Sequence, residues 1–151
     1  MGCCSSKLDV ALSVTTKKTP YFSLDGLITR AKVVNVYDGD TVHIVFPFYN
    51  KERKKDMCRW KCRLSGIDTP ELRTKSSQEK TLAIQAREYV KNYVLDKIVT
   101  VKCGKFDKYG RLLVEIYVFE QDTECSLNQL LIDRGIAKEY NGGKKDEFNY
   151  L

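Results

Sequence analysis

The sequence predicts an α+β domain: a five-stranded OB-fold β-barrel with one long and one short α-helix. Five runs rich in β-branched and aromatic residues are separated by turn signals. An apolar stripe with helical spacing lies between the third and fourth runs, and a shorter helical segment follows the fifth. This order of strands and helices is typical of a small Greek-key barrel.

The strands are predicted from these runs and the turns between them. The runs cover 28–37, 41–46, 59–67, 98–103 and 111–119. Asp38-Gly39 is a hairpin signal between the first two, and 107–110 is a turn between the last two. We interpret 50–56 as a charged loop, and Asp68-Thr69-Pro70 ends the third strand.

The helices are predicted from caps and apolar periodicity. Ser76 and Glu79 have the spacing of a capping box. Apolar residues then recur at intervals of three and four: Leu82, Ala86, Tyr89, Val90, Tyr93 and Val94. Ser126 is the predicted cap of a short helix over 127–134, which Gly135 ends.

Composition limits the class of protein. The chain has 151 residues, enough for one ordinary domain, and its few Pro and Gly exclude collagen-like and disordered classes. No apolar run approaches the roughly 20 residues of a membrane span. Lys and Arg number 26 against 20 Asp and Glu, so the formal net charge is +6. A basic domain favours phosphate-bearing partners, either nucleic acid or an acidic membrane surface.

The N-terminus matches a lipidation pattern. Gly2 and Ser6 fit N-myristoylation, and Cys3 and Cys4 are candidate palmitoylation sites beside them. Two acyl chains give lasting membrane attachment where one gives only marginal binding. In a bacterial host the same residues would not predict acylation. We therefore expect a flexible lipidated tether over 1–25, a folded domain over 26–142 and a short charged tail over 143–151.

The remaining four cysteines are predicted to be reduced structural thiols. They are spread through the body of the chain, and 8–16 makes a poor signal-peptide core, so an oxidising compartment is not indicated. Their spacing does not suit a zinc site, and His43 is the only histidine. These residues are Cys58, Cys62, Cys103 and Cys125.

Three short motifs carry the residues that could do chemistry. They are Asp38-Gly39-Asp40-Thr41, Arg63 followed by Asp68-Thr69-Pro70-Glu71, and Asp107-Lys108-Tyr109-Gly110-Arg111. Each motif alone is an ordinary turn or strand end. Together they contain the groups that phosphodiester hydrolysis requires, because that reaction needs charge neutralisation at a phosphoryl group and a positioned water.

Each residue type suits one part of that reaction. Asp40 and Asp68 are hard oxygen donors of the kind that Ca²⁺ prefers. Arg63 and Arg111 can each place a planar guanidinium fork on phosphate oxygens. Glu71 remains as an acceptor that could orient or deprotonate water.

The chain resembles the staphylococcal nuclease (thermonuclease) family over about 27–140. The resemblance is carried by the three motifs in order and by 130–137, Leu-Leu-Ile-Asp-Arg-Gly-Ile-Ala. It implies an OB-fold barrel and a Ca²⁺-dependent nuclease that cleaves DNA and RNA and leaves 3′-phosphate ends.

The resemblance also implies a role for each matching residue. Asp40 and Asp68 match carboxylate ligands of the metal, and Thr69 matches a ligand through its backbone carbonyl. Arg63 and Arg111 match catalytic arginines, and Glu71 matches the general base. Lys108 and Tyr109 match residues that contact a terminal phosphate. Tyr140 stands where family members carry aromatic residues that stack on the base.

Two other functions compete with a nuclease. One is a catalytically silent OB module that binds nucleic acid or a protein partner, and the other is a lipidated scaffold. The presence of Arg63, Glu71 and Arg111 favours the enzyme, because a pure binding module does not need this set of charges. With acylation we expect a monomer on the cytoplasmic face of a membrane, and without it a cytoplasmic protein.

Overall fold

The computed structural model of the chain describes residues 6–49, 52, 54–143 and 148. Five strands close into a barrel, which confirms the predicted α+β class and OB-like architecture. The elements in chain order are α1 (Lys7–Ser13), β1 (Ile28–Val36), β2 (Thr41–Tyr49), β3 (Lys55–Leu64), β4 (Ile67–Asp68), α2 (Ser77–Val94), β5 (Ile98–Phe106), β6 (Leu112–Glu120), β7 (Thr123–Ser126), α3 (Leu127–Asp133) and β8 (Lys138–Glu139).

The barrel closes between β3 and β6. The sheet order is β3-β2-β1-β5-β6-β7, and an additional pairing between β3 and β6 closes the first five strands of that order into a ring, with β7 attached to β6 outside it. This pairing is parallel and sets Arg63 opposite Leu113. Because side chains alternate between the two faces of a strand, Cys62 and Leu64 point into the core while Arg63 lies on the outer face. The seam therefore brings the end of β3 beside the turn that precedes β6.

The core is built from inward-facing β-branched and aliphatic side chains of the barrel and one face of α2. The buried residues of α2 are Ala83, Ala86, Val90 and Val94, and the predicted Leu82, Tyr89 and Tyr93 flank them half-buried. The four cysteines of the barrel region are unpaired thiols, as predicted. No helix within the described residues is long and apolar enough to cross a membrane.

The β2–β3 hairpin is longer than predicted. The two strands pair without interruption from Thr41 opposite Arg63 to Tyr49 opposite Lys55. The prediction that 50–56 is a loop is therefore wrong for the last two residues, and 50, 51 and 53 lie outside the described residues. Backbone hydrogen bonds extend the hairpin through its polar positions, which the apolar pattern alone did not mark.

The start of the long helix is confirmed, but the reciprocal capping box is wrong. Ser76 is the N-cap, and its hydroxyl accepts a hydrogen bond from the backbone N–H of Glu79 at 3.2 Å. The Glu79 side chain does not return to the cap. Its Oε1 accepts from the backbone N–H of Glu71 at 3.3 Å, and its Oε2 accepts from the Thr74 hydroxyl. A tertiary contact with the preceding loop has replaced the local one.

The segment before the barrel contains structure of its own. Helix α1 is capped by Ser6 and Asp9, and none of its residues is buried. Phe22 contacts the barrel, since its ring lies 5.7 Å from that of Phe48, and Leu24 is buried. The chain thus joins the folded unit a few residues before position 26.

Candidate active site

A cleft of about 670 Å³ opens at the end of the barrel where β2 begins and β3 ends. The motifs identified in the sequence meet there, although Thr41 and Arg111, for example, are 70 residues apart in the chain. The cleft is lined by Asp38, Asp40, Thr41, Arg63, Gly66, Glu71, Asp107, Lys108, Tyr109, Arg111, Leu113, Tyr140, Asn141 and Gly142.

Arg63 lies between two buried carboxylates. Its Nη2 is 3.3 Å from Asp40 Oδ2 and 3.0 Å from Asp68 Oδ1. Its Nη1 donates to the carbonyl of Ile67 at 2.7 Å and to that of Leu64 at 3.2 Å. Only 8% of the residue is exposed. The guanidinium therefore holds the end of β3, the strand β4 and the β1–β2 turn together.

The charge of this cluster is incompletely balanced. The pKa of Asp40 is raised to about 6, chiefly by burial: Arg63 and the hydrogen bond from Thr41 lower it, and the nearby Asp38 and Asp68 add to the increase. Within the described residues no group of three or more Asp, Glu, His or Cys side chains is arranged to hold a metal ion. The predicted set of two carboxylates and one carbonyl is smaller than that. Its hard oxygens and excess negative charge nevertheless suit Ca²⁺, with water or substrate supplying further ligands.

The β1–β2 turn carries Asp40 into the cluster. Asp38 Oδ1 accepts a hydrogen bond from the backbone N–H of Asp40 at 3.2 Å, and the Thr41 hydroxyl donates to Asp40 Oδ1 at 3.0 Å. Thr69 packs against the same turn: a Cβ placed on Gly39 would come within 2.8 Å of the Thr69 hydroxyl oxygen. Glycine at position 39 therefore allows the turn and the Asp68-Thr69 segment to approach each other.

Arg111 is fixed by the turn that precedes it. Its Nε donates to Asp107 Oδ2 at 2.7 Å, and its backbone N–H donates to Asp107 Oδ1 at 2.9 Å. Although burial raises the pKa of Asp107, hydrogen bonds from Arg111 and from the backbone of Tyr109 lower it further than burial raises it. The aspartate is thus held ionised and aims the guanidinium across the cleft, where Nη1 lies 3.5 Å from the Thr41 hydroxyl.

Glu71 also lines the cleft, in the loop between β4 and α2. The carboxylate of Glu79 binds both the backbone N–H of Glu71 and the hydroxyl of Thr74. Thr74 Oγ1 in turn accepts from the backbone N–H of Ser76 at 3.2 Å. This network fastens the loop to the first turn of α2, so the position of Glu71 depends on the helix.

Aromatic and basic side chains form the remaining walls. The Arg111 guanidinium lies 5.6 Å from the centre of the Tyr109 ring, and the Lys108 ammonium lies 5.1 Å from it. The Tyr140 ring is 5.5 Å from the Arg63 guanidinium, and its backbone N–H donates to the carbonyl of Gly66 at 2.9 Å. These rings give the cleft flat surfaces beside its cations.

The structure brings together all the residues predicted to bind or cleave substrate. Asp68 and Thr69, predicted as metal ligands, are buried next to the cleft and do not line it. Gly2, Cys3 and Cys4 lie outside the described residues. Sequence reasoning missed the site roles of Asp38, Asp107 and Glu79. Asp38 and Asp107 each begin a turn in one of the three motifs, and an Asp at the start of a turn is a sequence signal for side-chain bonding to the turn backbone.

Comparison with known proteins finds sequence similarity to one protein family and to several individual proteins. The sequence profile described as "Staphylococcal nuclease homologue" matches residues 61–150. An uncharacterised protein of Methanocaldococcus jannaschii, MJ1439, is 30% identical over 78% of this chain and 63% of its own length. The probable endonuclease LCL3 of Komagataella phaffii is 26% identical over 80% of this chain and 59% of its own.

A third relative is bacterial. An uncharacterised endonuclease of Escherichia coli is 29% identical over 74% of this chain and 61% of its own length. The chain thus spans about three-fifths of the length of these relatives. Two of the three carry names that state an endonuclease.

Proposed function

Because the chain belongs to the family of staphylococcal nuclease homologues, we propose that it is a Ca²⁺-dependent nuclease that hydrolyses DNA and RNA and leaves 3′-phosphate ends. The observation that carries the proposal is the meeting of Arg63, Arg111 and Glu71 around one cleft beside a buried carboxylate pair. That set provides phosphate binding, water activation and cation binding at a single place.

Asp40, Asp68 and the backbone carbonyl of Thr69 are the groups that would hold Ca²⁺. Bound there, the ion would neutralise charge on the phosphoryl oxygens and so assist attack by water. The same carboxylate oxygens contact Arg63 in this structure. A cation on Asp40 and Asp68 would compete with the guanidinium, which would then be available to a phosphate.

The remaining residues act on the scissile phosphate. Arg111 approaches it as a planar fork that Asp107 has already oriented. The Glu71 carboxylate takes a proton from the attacking water as its oxygen bonds to phosphorus. The P–O5′ bond breaks, the phosphate stays on the 3′ side, and the departing 5′-oxygen takes its proton from solvent.

Three further residues place the nucleic acid. Lys108 and Tyr109 line the cleft beside Arg111, where a terminal phosphate would meet them. Tyr140, which also lines the cleft, offers its ring to a base.

The protein would act as a monomer, held on the cytoplasmic face of a membrane by acyl chains on Gly2, Cys3 and Cys4.

The test is digestion of a single-stranded DNA and an RNA of matched sequence by the purified full chain. We expect cleavage of both in Ca²⁺, no cleavage in excess chelator, and products that a 3′-phosphatase modifies. Binding without cleavage in Ca²⁺ would instead support a catalytically silent OB module. Products with 3′-hydroxyl ends would contradict the proposed bond cleavage.

A further inference from the structure

We propose that the outer face of the β2–β3 hairpin is a binding track for single-stranded nucleic acid that leads out of the catalytic cleft. The proposal rests on the proposed function, because it assigns the path of the same substrate. It is carried by the alternation of β3, the register of the hairpin and the distribution of charge on this face.

The alternation of β3 puts a row of cations on one side of the strand. Lys55, Arg59 and Lys61 share the parity of Arg63 and are exposed. The intervening Trp60 points the other way, since its ring stacks at 5.1 Å on the buried Phe46. From Arg63 to Lys55 the strand advances eight residues, or about 26 Å.

The register of the hairpin places a second row of side chains, on β2, beside the row of cations on β3. His43 lies opposite Lys61, Pro47 opposite Met57 and Tyr49 opposite Lys55. The row begins at Thr41, opposite Arg63, so both rows start inside the cleft. Tyr49 is 65% exposed at the far end. Cations thus follow one strand, interrupted by Met57, while the neighbouring row carries two aromatic rings, those of His43 and Tyr49, separated by Val45 and Pro47.

The positive charge of the row is not neutralised by the surrounding protein. Throughout the described ranges, Lys55, Arg59 and Lys61 form no ion pair, whereas Lys32 and Arg134 each contact a carboxylate. The acidic residue of the strand, Asp56, has the opposite parity. Burial lowers the pKa of His43, and the charges of Arg59 and Lys61 lower it further, as a positive surface requires.

Single-stranded nucleic acid fits both rows. Its phosphates need a line of cations, and its unpaired bases stack on exposed rings. An anionic membrane would also be attracted to cations. A line of them that starts at the catalytic arginine favours a polymer that has to enter the cleft.

The test compares Arg59→Glu/Lys61→Glu with a control of equal charge change, Lys80→Glu/Lys102→Glu, on other exposed surfaces. Binding of a labelled 20-nucleotide oligo(dT) is measured by fluorescence anisotropy in chelator at several salt concentrations, together with the melting temperature. We expect the track variant to lose at least about 10-fold in affinity. The salt slope should fall by about 1.4, which corresponds to two phosphate contacts on a single strand.

The control pair should bind within about 2-fold of wild type, since it lies off the track. Equal losses in both pairs would overturn the proposal by showing a general charge effect. If the glutamate pair fails to fold, Arg59→Gln/Lys61→Gln is used, with the same ordering expected and a smaller loss. Tyr49→Ala should weaken binding by at least about 5-fold, while Tyr49→Phe keeps the ring and the affinity.

Two further measurements distinguish the proposed track from the proposed nuclease activity and from binding to a lipid surface. Cleavage of a thymidine dinucleotide in Ca²⁺ should be equal in wild type and the track variant, since the dinucleotide ends inside the cleft. If the wild type binds the 20-mer as expected but cleaves neither substrate, the proposed function is wrong and the proposed track is not contradicted. If the track variant loses only binding to phosphatidylserine vesicles and keeps oligo(dT) affinity, the face belongs to a lipid surface and the proposal is wrong.

Discussion

Arg111 and Arg63 carry the same guanidinium group in different surroundings. Arg63 is buried and bonded to two carboxylates and two backbone carbonyls, so its loss would disturb folding as well as chemistry. Arg111 is less buried, and its contacts come mainly from the single turn that contains Asp107. Arg111 is therefore the better position for testing phosphate binding by mutation.

Arg111→Lys should lower kcat by on the order of 10²-fold, as removal of one preorganised donor to a developing charge does. A point charge keeps the sign but loses the fork and the contact between Nε and Asp107. Steady-state cleavage kinetics and the melting temperature measure the effect. A variant with wild-type kcat would make Arg111 a hairpin residue only.

Gly39→Ala tests the contact between the turn and the metal-binding segment. The added Cβ would lie 2.8–2.9 Å from three atoms of the Thr69 side chain, so one of the two segments has to move. We expect a loss of about 1–3 kcal/mol in the free energy of unfolding, together with weakened Ca²⁺ binding. Denaturant unfolding and calorimetric Ca²⁺ titration measure both. Unchanged stability and unchanged Ca²⁺ affinity would contradict the assigned contact.

Prediction of the site from sequence depended on residue type and motif. The motifs placed Asp40, Arg63 and Arg111 in one site because their chemistry is complementary. They could not reveal that Arg63 is bonded to Asp40, since this contact forms only when the barrel closes at β3 and β6. The roles of Glu71, Lys108 and Tyr140 rest on the resemblance to the family and remain predictions.

At the scale of elements, helix α2 positions the loop that carries Glu71. Glu79→Ala removes the acceptor of the Glu71 N–H and of the Thr74 hydroxyl. We expect kcat to fall by at least about 10-fold with little change in KM, because a misplaced base slows chemistry more than binding. Glu79→Gln keeps one carbonyl acceptor and should retain more activity.

A double-mutant cycle separates positioning from general destabilisation. If Glu79 acts through Glu71, Glu79→Ala should have little further effect on kcat in a Glu71→Gln background. Additive losses in the cycle, or a fall in melting temperature alone, would contradict the positioning role. Thr74→Val serves as a partial control, since it removes the hydroxyl contacts of Thr74 with Glu79 and Ser76 and leaves the bond from the Glu71 N–H to Glu79.

The elements that the sequence predicted are those with a strong local signal. β1, β2, β5 and β6 are rich in β-branched residues, and α2 and α3 have serine caps. The start of β3 was missed because Lys55 and Asp56 are charged, and the strand is held there by pairing with β2. The two-residue strands β4 and β8 depend wholly on tertiary contact.

At the scale of the whole molecule, the N-terminal segment and the barrel are expected to act separately. In a eukaryotic host that acylates this motif, Gly2→Ala should move the protein from the membrane fraction to the soluble fraction, because the first acyl chain is lost. The rate of DNA cleavage per mole of protein should not change. Cys3→Ser/Cys4→Ser is the matched control and should leave weak, reversible attachment. A Gly2→Ala protein that still sediments with membranes would exclude acylation as the anchor.

The central claim is that this cleft hydrolyses phosphodiester bonds and does not merely bind them. The most direct measurement is the single-turnover rate constant for cleavage of a labelled single-stranded DNA at saturating protein and Ca²⁺, in wild type and in Glu71→Gln. We predict equal DNA affinity and melting temperature, and a cleavage rate at least about 10²-fold lower in the variant, the scale of positioned acid–base catalysis. Equal cleavage rates, or no cleavage by the wild type, would contradict the account.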